Sequence, residues 1–384
     1  MPHHHHHHNH MHPKSTQPSP SSLKSWLRSK MIAIVEAEQP VLQWLQHHPK
    51  LQALIVPSYH LGFLGTHEFF VAVLPLLYWN HDFYTSHREF IHSLTFLLLN
   101  SVIASGYLKD YFGLPRPSFS NMKRLSHESS HSLEYGMPSS HATQASVVSF
   151  FALIYFYFYA PAASNGPLYW LGGAALLLYP FVMAFSRVLT GMHGFLDVSV
   201  GLLLGLVMAA AHAFGWMASM EHMISHTVWP AVWLTVPAAV LSIAFHPEPD
   251  QACPCFHDSV AATSASIGAL VGSWHYTHLI GVSNDIARSS PSPSPSPSWL
   301  VAVAVMTAKL VGGLVVVFLT RTLVKRLCGQ ILPLLGIQSS LKPGQRASSL
   351  PKFEPETITR MITYFVLGWM AIFGVPYGFQ VLGL

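Results

Sequence analysis

The sequence predicts an all-α protein, a polytopic bundle of transmembrane helices. Hydrophobic residues make up 51% of the 384 residues and charged residues only 9%, whereas a soluble domain carries about 25% charged residues. So few charges cannot cover the surface of a water-soluble protein of this length. The net charge of +4 is small and the chain has no basic stripe with interleaved aromatic residues, so no nucleic-acid partner is expected.

Apolar stretches of about 20 residues, the length that a helix needs to cross the hydrocarbon core, predict the membrane spans. The nine candidates lie near residues 59–79, 88–108, 141–161, 168–188, 196–216, 224–245, 258–281, 299–320 and 358–380. Residues 1–22 form a His-rich and Ser/Pro-rich tail that we expect to be disordered. Residues 23–57 mix apolar and charged side chains, which predicts an amphipathic or interfacial helical region. A Ser/Pro tract at 283–298 is typical of an extended linker.

The chain has three cysteines, Cys253, Cys255 and Cys328, which is too few for a disulfide framework. Cys253 and Cys255 are separated by one proline, and paired zinc ligands have at least two residues between them. The pair therefore favours a structural role in a loop, and the sequence predicts no metal site and no cofactor.

Ionisable residues are costly at membrane depth and usually functional, and three such groups lie at the ends of predicted spans. They are "KDYFGLPRP" at 109–117, "PSSH" at 138–141 and "SRVLTGMHGFLD" at 186–197. The first two groups share one polar loop, and two predicted spans separate that loop from the third group. Since an even number of crossings returns the chain to the same face, all three groups can meet at one membrane surface.

The cations of these groups indicate a phosphate ligand. Lys109, Arg116 and Arg187 provide three positive charges without a cluster of carboxylates. Guanidinium groups suit phosphate oxygens and a lysine adds a point charge, whereas a metal ion would need several acidic or histidine ligands.

The histidines of the same groups indicate nucleophilic catalysis. His193 and Asp197 are four residues apart, so on a helix they share a face and the carboxylate can orient the ring. His141 could donate a proton to a leaving oxygen, and Ser139 and Ser140 could donate hydrogen bonds to phosphate. Taken alone, each residue has an ordinary structural explanation, such as a helix cap or an interfacial side chain.

The combination resembles the three-part signature of the type 2 phosphatidic acid phosphatase superfamily, with Ser140 where the usual motif has glycine. The segments "KDYFGLPRP", "EYGMPSSH", "SRVLTGMHGFLD" and "HPEPDQACPCFHDSV" are similar to its sphingosine-1-phosphate and long-chain-base phosphate phosphatase branch. The resemblance covers about residues 107–258.

The resemblance implies metal-independent hydrolysis of a lipid phosphate drawn from the bilayer, through a phosphohistidine. In this interpretation His193 attacks phosphorus, Asp197 supports it and His141 protonates the leaving alkoxide. The phosphate-binding residues would be Lys109, Arg116, Ser139, Ser140 and Arg187.

The resemblance further implies residence in the endoplasmic reticulum membrane, a site that faces the lumen, and a core of six helices at 58–246. Residues 247–384 would then add further membrane helices. The Lys and Arg residues near the span ends, counted over nine spans, would instead place the motif face in the cytosol.

Two alternatives remain open from the sequence. The same phosphate site could serve phosphatidate, lysophosphatidate or an isoprenoid diphosphate. The second alternative is a protein of another class, a lipid transporter or lipid-binding protein whose phosphate site is inactive. The intact motifs argue against this alternative.

Other polar residues are expected to be mainly structural. Those near the first two spans are His60, His67, Glu68 and His92, and later ones are His212, His275 and His278. Glu134 and Tyr135 precede the proline turn and could shape the site. By parity, residues 255–258 lie on the motif face, where they could contact the lipid headgroup.

Overall fold

The computed structural model describes residues 23–126, 134–160, 166–226, 235–249, 253–281, 299–337 and 352–383. The predicted tail at 1–22 and the Ser/Pro tract at 283–298 lie outside these residues. Over the described ranges the chain is helical and contains no strand, which confirms the predicted all-α class.

The described residues form fourteen α-helices, numbered in chain order. They are α1 Leu23–His47, α2 Pro49–Gly62, α3 His67–Trp79, α4 His81–Ser86, α5 Arg88–Phe112, α6 Ser140–Ile154, α7 Pro167–Leu189, α8 Phe195–Ala211, α9 Met217–His226, α10 Thr235–Ala244, α11 Cys255–His275, α12 Trp299–Leu334, α13 Pro355–Trp369 and α14 Val375–Val381. Wider helical turns extend α6 to Tyr159, α8 to Trp216, α11 to Gly281 and α13 to Gly374.

Six helical stretches among the described residues are long and apolar enough to cross a membrane, compared with nine candidates from the sequence. They are Arg88–Phe112, Ser140–Tyr159, Pro167–Leu189, Phe195–His226, Leu300–Leu334 and Pro355–Val381. The first candidate is broken because α2 ends at Gly62 and α3 begins at His67. The candidate at 224–245 lies partly outside the described residues. The one at 258–281 is a continuous helix, but it carries many polar and small residues. The chain is thus a multi-pass membrane protein.

Local sequence signals place the helix ends that matter for the site. The side chain of Ser139 caps α6 by accepting a hydrogen bond from the backbone N–H of Ala142, at 3.4 Å. On the other side of the loop that precedes α6, helix α5 ends at Gly113, whose φ of 58° is a left-handed conformation that favours glycine. These two signals fix the ends of the polar loop between α5 and α6.

Close packing of α6 against α8 positions the two helices that start at the site. A Cβ atom on Gly201 would lie 2.7 Å from the carbonyl oxygen of Ser139, and one on Gly205 would lie 2.5 Å from that of Thr143. Small residues four apart let helix backbones approach in a membrane bundle. Farther from the site, the bundle has an aromatic core in which Phe90 and Phe151 stack 5.6 Å apart.

Helix α1 packs against the bundle through one face. Val35, Glu38, Leu42 and Gln46 are buried at spacings of three and four residues, as expected for the inner face of an amphipathic helix. The Gln46 amide donates to the carbonyl oxygens of Lys123 at 2.5 Å and Leu189 at 3.2 Å. The helix thereby holds the loops that follow α5 and α7.

A local disulfide joins Cys253 and Cys255, and Cys328 is a buried free thiol. The sequence predicted a structural role for the pair in a loop, and the pair lies where the chain enters α11. Near it, the buried Asp110 carboxylate accepts a hydrogen bond from Nε2 of His246 at 2.9 Å.

Candidate active site

The ends of four helices meet around one cavity of about 180 Å³. Helices α5 and α7 end here and helices α6 and α8 begin here, as the parity argument predicted. Six of the eight residues proposed from the sequence line this cavity: Lys109, Arg116, Ser140, His141, Arg187 and His193. The other two, Ser139 and Asp197, are almost fully buried behind the lining.

Glu134 holds two of the three cations in place. The ammonium group of Lys109 forms an ion pair with Glu134 Oε2, and Arg116 Nη2 lies 3.7 Å from the same oxygen. Arg116 also donates from Nε to the carbonyl oxygen of Glu134, at 2.9 Å, and from Nη1 to that of Met192, at 2.6 Å. These contacts fix two positive groups beside the cavity before any ligand binds.

Arg187 presents donors that the rest of the described protein does not satisfy. Its side chain is 1% exposed, and its Nε and Nη1 atoms have no hydrogen-bond partner among the described residues. Buried polar groups without a partner are rare because they carry a large desolvation penalty. A guanidinium held this way on the cavity wall is suited to an anion with several oxygens.

His193 has one ring nitrogen occupied and the other directed at Arg116. Nδ1 lies 3.0 Å from the carbonyl oxygen of Gly136, which can only accept, so Nδ1 carries the proton. Nε2 therefore has the lone pair, and it lies 3.2 Å from Arg116 Nη1. This tautomer gives the ring a nucleophilic nitrogen at Nε2.

The surroundings of His193 favour its neutral form. Burial lowers the pKa of His193 well below its usual value, and nearby Arg116, Lys109, Arg187 and His141 lower it further. Both effects disfavour a second proton on the ring. The imidazole is consequently unprotonated at Nε2 near neutral pH, as a nucleophile must be.

Asp197 is placed differently from the simplest sequence expectation. Its Oδ2 accepts a hydrogen bond from the backbone N–H of Gly194 at 2.9 Å, where it closes the first turn of α8. The same oxygen is 3.5 Å from Nδ1 of His193, beyond an ordinary hydrogen bond. The closer partner of the ring is Gly136. A Cβ atom there would lie 3.0 Å from Asp197 Oδ2, so glycine allows the close approach.

The first turn of α6 brings His141 and Ser140 to the cavity. Ser139 is fully buried and its backbone N–H donates to the carbonyl oxygen of Asp197 at 3.0 Å. This bond ties the start of α6 to the start of α8. It therefore fixes the relative positions of His141 and His193.

Helix α1 reaches the site through Glu38, which the sequence analysis did not identify. Glu38 Oε2 accepts from the backbone N–H of Leu196 at 3.1 Å, so a side chain from α1 caps the helix that follows His193. Burial raises the pKa of Glu38, an effect that hydrogen bonds from Leu196 and Phe195 oppose.

Four of the histidines expected to be structural lie away from the cavity. His92 bonds to Glu221 and Tyr84, each at 2.8 Å. His275 and His278 contact carbonyl oxygens of their own helix. His212 is buried against Phe96 and Phe151. None of these four histidines lines the cavity.

The fold is that of a multi-pass helical membrane protein, and its site combines buried cations with a neutral histidine whose ring is oriented by a hydrogen bond. The family model of the PAP2 superfamily matches residues 90–219 of this chain. That range contains every residue proposed for the site from the sequence.

Several curated proteins are similar over a longer part of the chain. A dihydrosphingosine 1-phosphate phosphatase of Schizosaccharomyces pombe is 34% identical over 258 residues, which are 66% of this chain and 60% of that protein. The dihydrosphingosine 1-phosphate phosphatase YSR3 of Saccharomyces cerevisiae is 29% identical over 66% of this chain and 62% of its own length. The chain thus spans about 60% of the length of these two relatives.

A third relative is matched over most of its length. Sphingosine-1-phosphate phosphatase 2 of Mus musculus is 28% identical over 323 residues, which are 84% of this chain and 86% of that protein. No solved structure matches the chain.

Proposed function

We propose that this protein is a lipid phosphate phosphatase that removes phosphate from sphingoid long-chain base 1-phosphates. The observation that carries the proposal is the orientation of His193, whose unprotonated Nε2 borders a cavity lined by Lys109, Arg116 and Arg187. The names of the relatives support the substrate class.

In the first step the lone pair of His193 Nε2 attacks phosphorus and the bond from phosphorus to the ester oxygen breaks. The lipid leaves as an alkoxide that takes a proton from His141, and phosphate stays bonded to Nε2. The arginines and Lys109 stabilise the charge on the phosphoryl oxygens, because prearranged donors act strongly in a site that excludes water.

In the second step a water molecule attacks phosphorus and gives a proton to His141, which is now neutral. The bond between phosphorus and Nε2 breaks, its electron pair returns to the ring and inorganic phosphate is released. Nδ1 keeps its proton throughout, because it donates a hydrogen bond to the Gly136 carbonyl oxygen in both steps. All proton transfers thus run through one residue, His141.

The direct test is phosphate release by the purified full-length protein from dihydrosphingosine 1-phosphate in detergent micelles. We expect turnover that persists in EDTA and that is absent in His193→Gln, since the amide cannot attack phosphorus. His47→Gln is a matched control, because His47 is an exposed histidine at the end of α1. Full activity of His193→Gln, or loss of wild-type activity in EDTA, would contradict the mechanism.

Substrate breadth is tested in the same assay. A phosphate site built on cations and histidines binds any phosphate monoester, so phosphatidate and lysophosphatidate are the competing substrates. We expect kcat/KM to be highest for the sphingoid base phosphate. A protein that prefers phosphatidate would be a broader lipid phosphatase with the same chemistry.

We further propose that the protein resides in the endoplasmic reticulum membrane with its site on the luminal side, as the family resemblance implies. The alternative is a cytosolic site, which the Lys and Arg residues on the motif face favour. An acceptor sequence for N-glycosylation inserted between Asn121 and Lys123, in the loop after α5, distinguishes the two. Glycan attachment is the expected result, and an unmodified protein with full activity would indicate that the site faces the cytosol.

A further inference from the structure

The cavity holds a carboxylate that the phosphate chemistry does not use. Asp258 lines the cavity from the first turn of α11. The other carboxylate among the described lining residues, Glu134, is paired with Lys109 and lies near Arg116, so it belongs to the phosphate-binding group. Asp258 instead lies on a helix outside the region that the PAP2 family model matches.

Residues that follow Asp258 on α11 form the apolar wall of the same cavity. Ala261, Ala262 and Ala265 come three, four and seven residues after Asp258, so all four lie on one helix face, and all four line the cavity. At a rise of about 1.5 Å per residue this face extends about 10 Å from the carboxylate.

Helix α5 provides a second wall with the same order. Lys109 lies at its end, and Gly106, Val102 and Leu99 line the cavity on the preceding turns. A Cβ atom on Gly106 would lie 2.5 Å from Ser259 Oγ, so α5 and α11 approach closely there. Each wall therefore runs from a charged residue near the phosphate site to apolar residues deeper in the bundle.

The charges of the cavity suit a ligand that carries both signs. Three cations and two carboxylates lie among the described lining residues. The cations suit the phosphate oxygens, and the carboxylate of Asp258 suits an ammonium group on the same ligand. A lipid phosphate without an amine would bring no positive charge to the carboxylate of Asp258.

We infer that Asp258 binds the protonated amine of the sphingoid base, with the hydrocarbon chain along Ala262 and Ala265. A sphingoid base 1-phosphate carries its phosphate, amine and chain in that order, and the cavity offers cations, a carboxylate and an apolar wall in the same order. The inference rests on the proposed function. It assigns the choice between sphingoid and glycerol-based phosphates to α11.

The test compares two substrates with the same phosphate and chain that differ at the nitrogen, where one is charged and the other is a neutral amide. They are dihydrosphingosine 1-phosphate and its N-acetyl derivative, which keeps the chain but is uncharged. For Asp258→Asn we expect kcat/KM to fall roughly 10- to 100-fold on the amine substrate, the range that follows from losing a hydrogen bond to a charged group. On the N-acetyl substrate we expect a change of less than about threefold, and Asp258→Glu should restore part of the preference.

Glu36→Gln is the matched control, because Glu36 is an exposed acid on α1. An equal loss of Asp258→Asn on both substrates, or an unchanged preference for the amine, would overturn the inference. Wild-type protein that cleaves phosphatidate but neither sphingoid substrate would instead contradict the proposed substrate class.

A second variant tests the position of the chain if Asp258→Asn does not fold. Ala265→Leu adds volume to the apolar wall and leaves every charge in place. We expect it to lower kcat/KM for long-chain substrates several-fold more than for short-chain ones. The same loss at every chain length would place the chain elsewhere and overturn the inference.

Discussion

The ring of His193 is oriented by a backbone carbonyl: Nδ1 lies 3.0 Å from the oxygen of Gly136, and the nearer oxygen of Asp197 is 3.5 Å away. The first contact has hydrogen-bond geometry and the second does not. The peptide bond of Gly136 therefore fixes the tautomer, and Asp197 contributes negative charge and caps α8.

This division of roles predicts the effect of Asp197→Asn. The amide can still accept from the backbone N–H of Gly194, and Gly136 still holds the proton on Nδ1. We expect kcat to fall roughly 100-fold, less than the approximately 10⁴-fold loss that follows when a catalytic triad loses its tautomer. Phosphate release measures kcat, and Asp197→Ala, which also removes the cap, should be worse. A loss near 10⁴-fold in Asp197→Asn would show that Asp197, and not Gly136, controls the tautomer.

The environment of His193 predicts its pH dependence. Burial and the surrounding cations lower the pKa of His193, so its neutral form persists below its usual value of about 6.5. In the pH profile of kcat/KM, the acidic limb that reports His193 of the free enzyme should consequently lie below pH 6.5. The phosphate of the substrate also titrates near pH 6, so profiles for two substrates with different phosphate pKa values are compared. An enzyme limb near pH 6.5 that is identical for both substrates would contradict the prediction.

Much of this site could be predicted from the sequence, but one part of it could not. Three polar groups at span ends, an even number of crossings and a signature of cations and histidines were enough to bring Lys109, Arg116 and His193 together. Gly136 could not be found in this way, because its contribution is a carbonyl oxygen and any residue type has one.

The contact of α1 with the site could not be predicted from the sequence for a different reason. Its sequence has the amphipathic character of a surface helix, and that pattern does not reveal what covers the inner face. Glu38 meets Leu196 across 158 positions of the chain, a contact that only the folded bundle specifies. Likewise, the spacing on α11 predicts a helix face, but not that this face borders the phosphate site.

Glu38 provides a prediction about stability. Burial raises its pKa in the folded protein, so the folded state binds this proton more tightly than the unfolded state. Ionisation of Glu38 near neutral pH therefore reduces the free energy of unfolding, and the loss disappears as the pH falls through the raised value toward that of the unfolded chain. Glu38→Gln removes this charge and should have a higher Tm than wild type at pH 7, with a difference that shrinks as the pH falls and is lost below about pH 4.5.

Thermal unfolding in detergent can be followed by labelling Cys328, a buried thiol that becomes reactive on unfolding. Glu36→Gln is the control, since this exposed acid lies two residues away on the same helix. Glu38→Ala should unfold at a lower temperature than Glu38→Gln, because it leaves the N–H of Leu196 without its acceptor. A Glu38→Gln protein that is less stable than wild type at pH 7 would mean that the charge on the cap outweighs its burial.

The contact between α6 and α8 makes Gly205 a sensitive position even though it lies about three helical turns from His193. A Cβ atom there would be 2.5 Å from the backbone oxygen of Thr143 and 2.5 Å from Ser146 Cβ, and a backbone oxygen in a helix cannot yield by rotating. Gly205→Ala must therefore push the helices apart at a cost of about 1–3 kcal/mol, as overpacked interiors do. Because His141 starts one helix and His193 precedes the other, we also expect kcat to fall by at least tenfold while the phosphohistidine can still form slowly.

Gly215→Ala serves as the control, since a Cβ atom at Gly215 meets nothing within 4 Å among the described residues. A Gly205→Ala protein with wild-type Tm and kcat would show that the two helices can separate without disturbing the pair of histidines.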